Sequence, residues 1–195
     1  MIKFEKKFFA THKVPQMSAA NLYFFSIDES IPELFEQFDL IAKEKGFNFR
    51  NYSEEADEIR SLTDPQTIVN YMRKANAMVN RVELVKKITE YAETTMPLIV
   101  KRYLTSGLDE VIEISGHCFI KNDLKYLSEL KSRYFEIRNP YAKAVACLDF
   151  AICGLETDGD FLFQEYVKFQ RMYPNENFHE FPLLGLHILY EDNKL

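Results

Sequence analysis

Apolar positions recur at helical spacing through most of this chain. Ile68, Met72, Ala75 and Val79 follow one another at steps of four, three and four. Leu108, Val111, Ile112, Ser115 and Phe119 form a second such series, and Leu127, Leu130, Tyr134 and Ile137 a third. Leu162, Tyr166, Phe169 and Tyr173 form a fourth. An α-helix turns once every 3.6 residues, so each series is a stripe along one helix face, turned toward a neighbour. The segment after Asn139-Pro140 differs in kind. Tyr141, Ala144, Val145, Leu148, Ile152 and Leu155 make one stripe, while Ala142, Ala146, Cys147, Ala151 and Cys153 fill most of the remaining surface. A helix apolar nearly all round is buried nearly all round. This one is therefore predicted to be central, with small residues that let its neighbours approach closely.

Starts and stops sharpen the pattern. Pro32, Pro65, Pro97, Pro140 and Pro182 sit where a helix could begin, and Ser30, Asp64, Thr95 and Asn139 precede four of them as capping residues. Proline is tolerated in a first helical turn because the amide hydrogen it lacks has no partner there. Ser30-Ile-Pro-Glu33 reads as a capping box, followed by Leu34, Phe35, Phe38, Ile41 and Ala42 on one face and by Gly46 as the closing residue. A helix from Ser53 carries its acids near the positive N-terminal end. Thr95-Met-Pro97 is predicted to start a helix that ends near Thr105-Ser-Gly107. Asn122-Asp123, Asp158-Gly-Asp160 and Pro182 mark three further starts.

Residues 1–29 are the least legible, since the aromatic run from Asn21 to Ile27 fits a short strand or a buried helix equally well. No long linker interrupts the remainder. The expectation is an all-α fold in one domain over residues 1–195, an irregular superhelix of antiparallel helix pairs, with room for a short non-helical segment at the N-terminus.

Two stretches carry a family resemblance. Pro97-Leu-Ile-Val-Lys-Arg-Tyr-Leu, a turn to Asp109 and then Val111-Ile-Glu-Ile-Ser115 resemble the first helix, acidic turn and second helix of HEAT-like repeats. There Ile112 stands at the usual basic position and Ser115 at the usual alanine. Asn139-Pro-Tyr-Ala-Lys143-Ala-Val-Ala146 is the better match, with Lys143 at the basic position and Ala146 at the small one. The resemblance spans roughly residues 64–191 and implies an α-solenoid that binds macromolecules along a concave face. Some bacterial proteins of this architecture act on alkylated DNA. That activity is not implied here, because no catalytic residue matches and the basic surface it requires is not evident.

Charge and chemistry narrow the function classes. The net charge is -6, and the pairs Lys6-Lys7, Lys86-Lys87 and Lys101-Arg102 are scattered among acids, so they read as solvated helix faces. A nucleic-acid groove is not expected. Cys118, Cys147 and Cys153 lie in apolar surroundings, which points to buried thiols in a reducing compartment. With no signal-peptide pattern and no run of about 20 apolar residues, the expected location is cytoplasmic, away from a membrane. No Cys-x-x-Cys, His-x-x-x-His or glycine-rich phosphate loop is present, so neither metal nor cofactor is expected. His187, among leucines and isoleucine, is expected to be a core histidine with one hydrogen bond.

The aromatic content, 17 Phe and 11 Tyr, exceeds what these patterns use. Tyr23, Phe24, Phe25, Tyr71 and Tyr91 are the candidate protein-binding anchors. The resulting expectation is a non-enzymatic helical-repeat module whose partner is another protein. Two alternatives stand beside it. One is an acidic, immunity-type antagonist of a basic toxin. The other is an enzyme on the same scaffold, acting on nucleic acid or a small molecule, which would gather His117, Cys118, Tyr141, Lys143 and Asp149 in one pocket.

Overall fold

The computed structural model describes residues 6–15, 37, 40–46, 52–74, 80–155 and 159–192, and every regular element among them is helical. After α1 (Lys6–Thr11) and a helical stretch over residues 40–44 come α2 (Tyr52–Ser61), α3 (Pro65–Tyr71), α4 (Arg81–Glu90) and α5 (Ala92–Tyr103). They are followed by α6 (Asp109–Lys121), α7 (Leu124–Ser132), α8 (Pro140–Ile152), α9 (Asp160–Met172) and α10 (Glu180–Glu191). Short 3-10 turns at Tyr134–Glu136 and Asn177–His179 precede α8 and α10.

The helices pack in two rows. α2, α4, α6, α8 and α10 each lie against the next of that series, while α3, α5 and α7 form a second row beside them. Helices bearing Pro65 and Pro97 belong to the second row, and those bearing Pro140 and Pro182 to the first. Within this arrangement α8 touches α6, α7, α9 and α10, and its residues 144–151 are all buried. The helix that is apolar nearly all round is thus the one packed from most sides. At the contact with α10, a Cβ added to Gly185 would lie 3.1 Å from the Ala151 Cβ and 3.2 Å from the Leu162 Cδ1. Only a residue without a side chain lets these helices sit so close.

Local chemistry explains most boundaries. Asp64 accepts the Thr67 amide at 2.7 Å, and Pro65 takes the first helical position behind it. Asp123 accepts the Lys125 amide at 2.8 Å and Asn139 the Tyr141 amide at 2.9 Å, each satisfying an amide that the first turn leaves over. Gly46 closes its helix at φ +69°, donating to the Lys43 carbonyl at 3.2 Å. Gly159, at φ +72°, is the residue that caps α9; Asp158 lies outside the described residues.

Three expectations change. The helix containing Pro97 begins at Ala92, not at Thr95. Thr95 is buried and donates its hydroxyl to the carbonyls of Ile88 at 2.9 Å and Tyr91 at 3.0 Å, so it fastens α5 to the end of α4 rather than capping a helix. Pro97 withholds an amide from the Glu93 carbonyl, and Glu93 is exposed, so water can serve that acceptor. α3 stops at Tyr71, with Ile68 and Met72 buried and Ala75 and Val79 outside the described residues. Ala42 faces inward as expected, whereas Ile41 is 51% exposed; the capping box at Ser30 and Glu33, with Leu34, Phe35 and Phe38, lies outside the described residues. No helix among the described residues is long and apolar enough to cross a membrane.

Candidate functional site

The second row places the ends of α3 and α5 side by side. Arg102, in the last turn of α5, reaches across and donates to the Val69 carbonyl at 2.6 Å and to the Asn70 Oδ1 at 2.5 Å. Gln66 holds the same Asn70 oxygen from the other side at 3.1 Å. A cation at the C-terminal end of α3 meets the negative end of the helix dipole, which accounts for its position. Two of the five guanidinium N–H groups are used in this way. The other three make no hydrogen bond among the described residues.

Arg102 lines a half-open cleft of about 410 Å³. Arg73, just beyond α3, and Lys101, beside Arg102, also line it, and among the described residues no carboxylate does. Neither Arg73 nor Lys101 makes an ion pair or a side-chain hydrogen bond among the described residues. Burial first, and the like charge of Arg73 second, depress the Arg102 guanidinium below its ordinary value. The turn between α5 and α6 also lines the cleft. There the Ser106 Oγ accepts the Leu108 amide at 3.2 Å, and the Gly107 amide donates to no group among the described residues. Leu98 and Leu108 add apolar surface next to the charges.

Of the Lys101-Arg102 pair, expected on a solvated face, Lys101 is exposed as expected, whereas Arg102 is half-buried and tied to α3. Lys86 and Lys87 do meet acids, at Glu83 (3.4 Å) and Glu90 (3.0 Å). Lys74, next to Arg73, turns to Glu58 at 2.6 Å. Arg73, Lys101 and Arg102 instead converge where no acid among the described residues lines the wall. A signal existed in the sequence: residues 65–82 and 94–108 contain no Asp or Glu. Their pairing in space was what the sequence withheld.

The candidate anchors fare differently. Tyr71 is 3% exposed, with its hydroxyl donating to Glu58 Oε2 at 3.2 Å and the Lys74 Nζ 4.0 Å from its ring centre. It serves the packing of α3 on its neighbours and offers no face to a partner. Tyr91 is half-buried at the junction of α4 and α5, with the Lys87 Nζ 5.1 Å from its ring centre. Tyr23, Phe24 and Phe25 lie outside the described residues. A shallow apolar groove lies instead on α9, along Phe163, Val167 and Met172.

The residues an enzyme would have gathered do not line the cleft. His117, Cys118 and Asp149 are buried, at 1% exposure or less. Burial raises the Cys118 thiol far above its ordinary value, and pushes that of Cys153 up to about 11 with help from Asp149. The Tyr141 hydroxyl donates to Glu113 Oε1 at 2.6 Å, and the Lys143 Nζ sits 5.6 Å from the Tyr134 ring centre. His187 is 7% exposed, with its Nε2 donating to the His12 carbonyl at 2.7 Å, as expected of a core histidine. Among the described residues no group of three His, Cys, Asp or Glu is placed to hold a metal ion. No protein-family model, curated protein or solved structure matches the chain.

Proposed function

We propose that the protein is a non-enzymatic helical-repeat module that binds another protein, gripping an acidic segment of it in the cleft between α3 and α5. The observation that carries this is the convergence of Arg73, Lys101 and Arg102 in a wall to which no described residue adds a carboxylate, on a chain of net charge -6. Cations brought together without a counter-charge create a local positive potential, which draws anionic groups and orients their approach. The half-open shape, with Leu98 and Leu108 beside the charges, suits a segment presented by a larger body. Two rows of packed helices are compatible with a stack of helix pairs, in which neighbours build one continuous binding surface. Three free cysteines fit a reducing compartment such as the cytoplasm.

The test uses immobilised protein and peptide pools of acidic, neutral and basic composition. The acidic pool is retained, less so as salt rises, and Arg73→Gln/Lys101→Gln releases it. Both side chains are exposed, so this double variant keeps the fold. Failure to retain the acidic pool, or equal retention by the double variant, overturns the reading.

A further inference from the structure

We infer that the anionic group this cleft accepts is a phosphorylated side chain of the partner protein. The inference rests on the binding reading above and names the chemistry of its ligand. Two guanidinium groups and one ammonium group line the wall, through Arg73, Arg102 and Lys101. A single carboxylate carries one negative charge and leaves most of that positive charge unmatched. A phosphomonoester carries about 1.5 to 2 negative charges at neutral pH and three strong acceptor oxygens.

The donors suit such a group in kind and in number. Arg102 is already held in place by Val69 and Asn70, and it keeps three N–H groups for a ligand. A planar fork fixed in advance loses little freedom when it binds. Gly107 lines the same space, and a Cβ built on it would meet nothing within 4 Å, so the chain there leaves room for a ligand. Arginine clusters of this sort recognise phosphorylated side chains because charge-assisted bonds to phosphate are shorter and stronger than neutral ones.

Two acids lie near without lining the cleft. Asp109 and Glu110, in the first turn of α6, act electrostatically on Glu113 along the same helix. Leu98 and Leu108 offer apolar contact to the residues flanking the phosphate. Leu108 is 42% exposed, as a contact at the rim of an open cleft would be.

The experiment compares three immobilised peptide pools with identical degenerate flanks, centred on phosphoserine, glutamate or serine. N-acetyl-phosphoserine amide and inorganic phosphate are titrated separately. The phosphoserine pool binds at least about tenfold tighter than the glutamate pool. Its affinity rises between about pH 5 and about pH 7, as the second phosphate proton is lost, while that of the glutamate pool does not. Arg73→Gln/Lys101→Gln abolishes the difference.

Equal binding of the phosphoserine and glutamate pools overturns the phosphate assignment and leaves the acidic-segment reading standing. Binding of inorganic phosphate as tight as that of the phosphoserine pool, or binding of the small phosphates when no peptide pool binds, overturns the assignment to a partner's side chain. Binding of none of these probes overturns both.

Discussion

The Arg102 guanidinium donates to the Val69 carbonyl oxygen at 2.6 Å, which ties the end of α5 to the end of α3. With its second bond, to Asn70, this makes one side chain both a helix-end clasp and a wall of the cleft. Arg102→Met removes both bonds and lowers stability by about 1–2 kcal/mol. Arg102→Lys recovers little, because a single ammonium cannot reproduce the fork that spans both acceptors. Urea unfolding measures this. An Arg102→Met variant as stable as the native protein would contradict the clasp.

Glu113 supplies a pH dependence. Burial raises its carboxyl above the ordinary range, as do Asp109 and Glu110, while the Tyr141 hydroxyl and Arg81 pull the other way. The folded state therefore holds the Glu113 proton more tightly than the unfolded chain does. Its contribution to stability is full below the ordinary carboxyl range and is lost as pH rises toward the raised folded value. Glu113→Gln keeps an acceptor for Tyr141 and removes the titration. The melting temperature of this variant, relative to the native protein, rises from about pH 4 to about pH 7. A constant difference would refute this account.

The thiols make a third case. Cys118 and Cys147 are buried, and Cys153 is half-buried with its thiol pushed up to about 11. The thiolate is the reactive form, so a native sample near pH 8 reacts slowly with a disulfide reagent, and first at Cys153. Unfolding in guanidinium exposes all three at once. Rapid native labelling of Cys118 would contradict its placement in α6.

Gly185→Val tests the contact between α8 and α10. The new side chain would press on Ala151 and Leu162, whose atoms already lie 3.1 and 3.2 Å from the Cβ position. Overpacking of this kind costs about 1–3 kcal/mol. Thermal unfolding shows it as a lower midpoint, and an unchanged midpoint would mean the two helices separate freely.

The all-helical fold was legible wherever a stripe and a cap agreed. Asp64, Asp123 and Asn139 cap the helices that their side chains announced, and Ile112, Phe119, Leu127 and Leu162 face the core that their spacing implied. Pro97 misled because proline has two compatible places, a first turn or an interior whose orphaned carbonyl meets water. The cleft was not legible. Helical spacing tells which face of one helix is apolar, but not which ends of two helices lie side by side, and Arg73 and Arg102 meet only through the packing of α3 on α5. Tyr71 shows the same gap from the other direction, since its burial depends on neighbours that its own periodicity does not name.

The claim that the cleft is the recognition site is tested most directly by the side-chain Nε–Hε resonances of arginine, followed by NMR as N-acetyl-phosphoserine amide is added. Arg60 and Arg133 already pair with Glu83 at 3.0 Å and with Glu136 at 2.8 Å, and serve as internal controls. The account predicts saturable shifts at Arg73 and Arg102, lost in the Lys101→Gln/Arg73→Gln variant for the Arg102 signal, with Arg60 and Arg133 unmoved. Shifts spread equally over all four arginines, or none at Arg102, would contradict it.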